Sequence, residues 1–262
     1  MKQDRNFDEL IDRFRERVYD TSKGDWRLKL LKQDLDNLTK QKTLMQVWDA
    51  GCGFAQISQW LSQKHHSVAL CDVSSKMLSQ ARRNFATEGL QADFHHQSFQ
   101  DYARHSGQFD LVLFHAVIEW LADPAAGLKA VMEKVKPGGY LSLMFYNRNA
   151  MVYSNTLKGS WRLKPILEDS YLGKGNKLTP PNPQYPHEIV ETFKAHGFDI
   201  KAHTGIRIFS DYMDETVLKQ TDMEELFALE ERYCRTPTYC DMGRYIHILA
   251  QKKPESLLRF FK

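Results

Sequence analysis

The stretch Val47-Trp48-Asp49-Ala50-Gly51-Cys52-Gly53-Phe54-Ala55 carries the residue types and spacing best suited to chemistry. An apolar run meets an acid, then two glycines one residue apart, then a helical pattern. In such a strand-to-helix turn the first glycine permits the sharp bend. The second lets backbone approach a bound nucleotide with no side chain in the way. Gly-x-Gly after a strand also occurs as an ordinary turn, so the surrounding chain must decide.

A dinucleotide site requires G-x-G-x-x-G with a small sixth residue, and here that position is the bulky Gln56. Asp49 also stands two residues before Gly51, where an anion would oppose a pyrophosphate. Both features argue against NAD and FAD, and so against a nicotinamide oxidoreductase. An acid there suits a ligand with a cationic amino or sulfonium end, as S-adenosylmethionine has. Asp72 follows Gly53 by 19 residues at the end of a second apolar run. Its two carboxylate oxygens can accept both ribose hydroxyls, or it can serve the start of a helix near Ser74.

These residues need a parallel sheet to hold them. Met45–Asp49, Ser67–Asp72, Phe94–Gln97, Phe109–Phe114 and Tyr140–Phe145 read as strands. Helical patterns separate them at 55–64, 75–88 and from Asp123-Pro124 onward, and Lys136-Pro137-Gly138-Gly139 reads as a turn. Near-continuous apolar strands alternating with helices indicate a parallel sheet covered on both faces. Two later strands, Phe198–Phe209 and Gly243–Ala250, lack a crossover and suit an antiparallel pair at one edge. Helices are expected at 187–196 and 223–234. At the N-terminus Phe7, Leu10, Ile11, Phe14 and Val18 share one helical face. After a break at residues 21–27, Leu30, Leu31, Leu35 and Leu38 share another. Lys23 and Arg27 stand at that second helix's entrance, where they can face an anion or solvent. Residues 148–187 keep neither period. Arg148, Lys158, Arg162, Lys164, Lys174 and Lys177 outnumber Glu168 and Asp169 there, so the stretch reads as a basic insertion.

The chain of 262 residues is thus expected to be one domain, 1–262, with an N-terminal helical cap at 1–42 and an insertion at about 148–187. Its apolar content of 42% and charged content of 26% are those of an ordinary globular protein. It has no run suited to a membrane span and no signal-peptide pattern. Four cysteines without a C-x-x-C pair read as reduced thiols, which implies a cytoplasmic protein with no metal.

Asp49-Ala50-Gly51-Cys52-Gly53, Asp72 and Val135-Lys136-Pro137-Gly138-Gly139 resemble the motifs of the class I S-adenosylmethionine-dependent methyltransferases. Ala55 departs from the third glycine many members carry. Further blocks are similar to the bacterial tRNA carboxymethoxyuridine methyltransferases: Asp4-Arg5-Asn6-Phe7, Lys23-Gly24 with Arg27, Leu113–Trp120, Leu141–Asn147, Gly205-Ile206-Arg207, Arg232–Arg235 and Gly243–His247. The resemblance implies an α/β, Rossmann-like class I fold. Its mostly parallel seven-stranded sheet would have helices on both faces and an antiparallel C-terminal edge pair. It implies S-adenosylmethionine as cofactor, held by Arg27, Asp49, Gly51, Cys52, Gly53, Asp72, Ser98, Phe99 and His115. Asp101 is the acid nearest the expected adenine site.

The implied reaction methylates the carboxylate of 5-carboxymethoxyuridine at the tRNA wobble position. Carboxylates ionise near pH 4, so no general base is expected. Tyr146, Arg148, Arg207 and Arg244 are the candidates to hold that carboxylate. The basic insertion, with Tyr153, Trp161 and Tyr171, would meet the anticodon loop through phosphate contacts and base stacking. Methyl transfer to a small carboxylic or phenolic metabolite, and RNA binding without catalysis, are the alternatives.

Overall fold

In the computed structural model the described residues are 22–42, 44–159, 161, 163–168 and 179–254, with Asp4 and Asp8. Helix α1 (Ser22–Gln41) leads into β1 (Gln46–Ala50), α2 (Gln56–Gln63), β2 (Ser67–Asp72), α3 (Ser75–Thr87), β3 (Asp93–His96), α4 (Phe99–His105) and β4 (Phe109–His115). A 3₁₀ turn at Ile118–Trp120 precedes α5 (Pro124–Glu133) and β5 (Val135–Tyr146). Then follow α6 (Arg148–Leu157), α7 (Leu163–Leu167), α8 (Pro186–Ala195), β6 (Phe198–Ile206), α9 (Glu215–Gln220), α10 (Met223–Tyr233) and β7 (Tyr245–Lys252).

The seven strands form one sheet in the order β3-β2-β1-β4-β5-β7-β6. Strands β1 to β5 pair in parallel, and β7 runs antiparallel between β5 and β6. Two apolar layers cover the sheet. Leu30, Leu31 and Leu35 of α1 pack on one face with Leu61, Leu78, Phe85 and Phe227. Phe99, Leu128, Val131, Ile189 and Phe193 fill the other. Each such side chain contributes about 1.5–3 kcal/mol by leaving water. The helices start where short polar side chains accept backbone N–H groups: Ser74 from Met77, Ser98 from Asp101, Asp123 from Ala126 and Asn147 from Asn149. Strand order reverses between β1 and β4, which opens a crevice at their carboxyl ends.

Several expectations are corrected. Residues 148–157 and 163–167 are helical, because Ala150, Met151, Ser154 and Ile166 are buried at turn-like spacing among polar residues that mask the period. The break expected through Arg27 lies inside α1, which starts at Ser22. The 136–139 turn is absorbed into β5, where pairing with β4 slips between Phe109 and Leu111. Strand β6 ends at Ile206 because Arg207 turns to φ 62°, outside strand geometry. Helices α4 and α9 were not expected. The apolar N-terminal face from Phe7 to Val18 lies outside the described residues, as do Arg162, Tyr171, Lys174 and Lys177. Among the described residues no helix is long and apolar enough to cross a membrane.

Candidate active site

The turn after β1 is hooked onto the end of β2. Gly51 and Cys52 both donate backbone N–H to the Cys71 carbonyl at 3.0 Å. Gly53 N–H donates to Asp72 Oδ2 and Ser74 N–H to Asp72 Oδ1, each at 2.8 Å. Asp72 therefore straps two loops together and does not cap α3, since Ser74 does that. Gly51 has φ 85°, and a Cβ there would lie 2.6 Å from Val117 Cγ2.

Around this turn lies a partly open cleft. Arg27, Asp49, Gly51, Cys52, Gly53, Asp72, Phe99 and His115 all line it. Ser98 does not. Its hydroxyl caps α4 and donates to Asp101 Oδ2 at 2.6 Å, and Asp101 also pairs with Arg104, so neither side chain faces the cleft.

The cleft's electrostatics follow from burial. The Asp49 carboxyl is pushed up to about 7 by burial, against the Ser58 hydroxyl that donates to it at 2.6 Å, with the nearby Asp72 adding to the rise. Burial raises Asp72 also, opposed by its two backbone donors. His115 is held well below the ordinary histidine range by burial, helped by His247 and Arg27, so its ring is neutral. Two acids that gain from a cation thus share the cleft with a guanidinium that can take a carboxylate. This donor set fits a zwitterionic nucleoside such as S-adenosylmethionine.

Asp4, Gln56, Val117, Trp120, Leu121 and Met144 line the cleft as well. Gln56, too bulky for a dinucleotide helix, thus belongs to the site itself. Asp4 accepts from Ala122 N–H and from Gln100 Nε2, both at 2.8 Å, which holds Asp4 at the cleft. Glu119 is buried nearby in sequence, and burial pushes its carboxyl up to about 8.

The substrate candidates divide. Arg244 Nη1 donates to Tyr146 Oη at 2.9 Å and Arg244 Nε to Asp211 Oδ2 at 2.8 Å. Arg207 Nη2 lies 3.5 Å from the same Asp211 oxygen, over the Tyr245 ring. These form one cationic cluster whose Asp211 was missed, since a lone acid in an irregular segment carries no sequence signal. Arg148 instead donates to the Ile166 carbonyl at 2.8 Å and stacks over Tyr185. Tyr146 and Arg244 line a second hollow with Ser154, Asn155, Lys158 and Trp161. Met144 of the cofactor-side cleft is two residues before Tyr146 on β5, so one strand face connects both cavities. Among the described residues one group of potential metal donors occurs. His203, Cys240 and Asp241 have donor atoms within 4.8 Å, His203 Nε2 already lies 3.0 Å from Asp241 Oδ1, and none lines the cleft.

The family described as "Methyltransferase domain" matches residues 47–139. The chain is 37% identical over 259 residues to the tRNA 5-carboxymethoxyuridine methyltransferase of Escherichia coli (strain K12), covering 97% of this chain and 98% of that protein. The Ubiquinone biosynthesis O-methyltransferase of Aromatoleum aromaticum is 33% identical over 122 residues, only 46% of this chain and 52% of that one. Among solved structures, magnesium protoporphyrin IX methyltransferase from Synechocystis PCC 6803 shares the fold. Its TM-score is 0.61 at 16% identity, covering 94% of this chain and 96% of that one. The plantazolicin methyltransferase BpumL does so at TM-score 0.57 and 16% identity, covering 94% and 90%. Identity to the Escherichia coli enzyme runs almost end to end in both proteins, so the chain belongs to the family of bacterial tRNA 5-carboxymethoxyuridine methyltransferases, which use S-adenosylmethionine.

Proposed function

We propose that this chain methylates the carboxylate of 5-carboxymethoxyuridine at the tRNA wobble position, forming the methyl ester. The observation that carries this beyond family membership is the Tyr146–Arg244–Asp211–Arg207 cluster, which continues along β5 from the cofactor cleft.

S-adenosylmethionine, when bound, supplies an electrophilic methyl group. The remaining work falls to the chain's own side chains. Arg27 would pair with the cofactor's carboxylate, Asp49 would face its cationic end, and Asp72 would accept from its ribose. Asp72 keeps acceptor capacity for this, because each of its oxygens takes only one backbone N–H. Phe99 supplies an apolar wall. Arg207 and Arg244 together carry one more charge than Asp211 balances, enough to orient a substrate carboxylate. Asp211 tempers the field, so the nucleophilic oxygen is not locked in a tight ion pair. No proton has to move, because the nucleophile is already ionised near neutral pH. Positioning is therefore the main task, and it can supply about 7–11 kcal/mol.

The partner is tRNA, and the anticodon loop would lie over the hollow framed by Lys158 and Trp161. Trp161 is 77% exposed, as a stacking platform for an unpaired base must be. The N-terminal cap brings Arg27 to the cofactor, and the insertion acts as a substrate-side addition to one methyltransferase domain in the cytoplasm.

The test is methyl transfer by the purified protein to tRNA bearing the free carboxylate, beside small carboxylic and phenolic acids. Ester on the tRNA nucleoside alone is expected. Transfer to the small acids, with none to tRNA, would overturn the assignment.

A further inference from the structure

A chain of hydrogen bonds runs from the cleft through the middle of the sheet to α1. His115 Nε2 lies 2.8 Å from Ser142 Oγ, which lies 2.8 Å from His247 Nε2. His247 Nδ1 lies 2.6 Å from Asp34 Oδ2, and Arg235 Nη2 closes the outer end at 2.7 Å from Asp34 Oδ1. Ser142 and His247 are fully buried, and the Asp34 side chain is 2% exposed. Polar groups so deep in a sheet are costly unless each is satisfied, and an apolar set of similar volume would serve stability as well. Four side chains from α1, β4, β5 and β7 nonetheless satisfy one another in series, and the series ends on the cleft.

The direction of donation is set at the far end, by Asp34. Burial acts to raise the Asp34 carboxyl, but the hydrogen bond from His247 and the charge of the adjacent Arg235 outweigh this and hold it below the usual range. An ionised carboxylate only accepts, so His247 Nδ1 carries hydrogen and donates. Arg235 already balances that carboxylate, so a second charge on the fully buried His247 would go unpaired; with His247 uncharged, its Nε2 lone pair takes the Ser142 hydroxyl hydrogen. Having donated, Ser142 Oγ accepts from His115 Nε2–H. His115 is thereby left with its lone pair on Nδ1, on a ring that lines the cleft.

We propose that Asp34, His247 and Ser142 are positioning residues that hold His115 in its Nε2–H tautomer, so that Nδ1 meets the cleft's ligand as a hydrogen-bond acceptor. An acceptor there recognises a donor group, the ammonium or a ribose hydroxyl of the cofactor. In the opposite state, with His247 as an imidazolium, the bond to Asp34 keeps its direction but both bonds at Ser142 reverse, which makes His115 Nδ1 a donor that repels an ammonium. The role rests on assigning the cleft to S-adenosylmethionine.

The experiment uses the full chain with ¹⁵N-labelled histidine. Long-range proton–nitrogen correlation spectra report which His115 nitrogen carries hydrogen, and calorimetry with S-adenosylhomocysteine reports affinity. The wild-type protein is expected to show one His115 tautomer, Nε2–H. Ser142→Ala is expected to mix the tautomers and to weaken S-adenosylhomocysteine about tenfold, the effect of one neutral hydrogen bond. Asp34→Asn, which keeps the side chain's shape, should perturb the same His115 signals from two residues away. An Nδ1–H or mixed tautomer in the wild type would overturn the proposal without recourse to any variant. So would a Ser142→Ala spectrum and affinity equal to the wild type. If wild-type protein fails to bind S-adenosylhomocysteine, the cleft assignment fails, and the tautomer spectrum still decides the relay.

Discussion

The Gly51 α-carbon lies directly beneath the Val117 side chain, so that a methyl group added there would stand 2.6 Å from Val117 Cγ2. The β1 turn and the loop after β4 therefore meet across the cleft floor with no space for a side chain. Gly51→Ala has to move Val117 and also adopt φ 85°, a region that costs a non-glycine residue about 1–3 kcal/mol. The expected outcome is a lower thermal midpoint and at least a tenfold loss of S-adenosylhomocysteine affinity by calorimetry. Wild-type affinity in Gly51→Ala would show that the cleft floor takes no part in binding.

Asp49 should link stability and binding to pH with opposite preferences. An unfolded aspartate titrates near 4, whereas the folded carboxyl is pushed up to about 7 by burial. Between those values the folded state holds a proton that the unfolded state has released, so stability falls as pH rises and levels off above about 7. Asp49→Asn keeps an acceptor for Ser58 and removes this loss. It should raise the thermal midpoint at pH 8, with little change at pH 4. The variant should also bind S-adenosylmethionine weakly, because the cation loses its carboxylate. Near pH 7 a bound cation favours the ionised form, so wild-type binding should release protons, measured by calorimetry in buffers of different ionisation enthalpy. No proton release, or equal midpoints at pH 8, would refute this role for Asp49.

Arg244 sits on Asp211 and Tyr146, away from the cofactor-side cleft. Arg244→Ala should cut kcat/KM for tRNA methylation about 10- to 100-fold, the range for a charged hydrogen-bonding group, and leave S-adenosylhomocysteine affinity unchanged. Arg207→Ala should act in the same direction. Equal losses in cofactor affinity would move these residues out of the substrate role.

Trp161 and Lys158 should separate stacking from charge. Trp161→Ala removes a stacking platform worth about 1–3 kcal/mol and should raise KM for tRNA at every salt concentration. Lys158→Ala should reduce the salt dependence of tRNA binding by about one phosphate contact. Filter binding across a salt series distinguishes the two. Unchanged binding in both variants would exclude this hollow from the RNA interface.

The cofactor half was legible in the sequence because its demands are local. Gly51, Gly53 and Asp72 are fixed by a turn and the next strand end, and Asp49 ends the apolar run that defines β1. The alternating strands and helices likewise specified the parallel sheet and its antiparallel edge. Helix α6 was hidden because only Ala150, Met151 and Ser154 face inward, among polar neighbours that break the apolar period. Asp211, and the relay from Asp34 to His115, join residues up to 213 apart, so no spacing pattern could announce them. Arg148 looked equivalent to Arg244 from charge alone. Only the packing of α6 against α7 turns it toward the Ile166 carbonyl.

The central claim is tested most directly by nucleoside analysis of tRNA from cells lacking this protein, with and without a plasmid copy of the wild type or Arg244→Ala. Loss of the methyl ester on 5-carboxymethoxyuridine is predicted, with the free acid accumulating in its place. The wild-type copy should restore the ester and Arg244→Ala should not. An unchanged ester level in the cells lacking the protein would contradict the account.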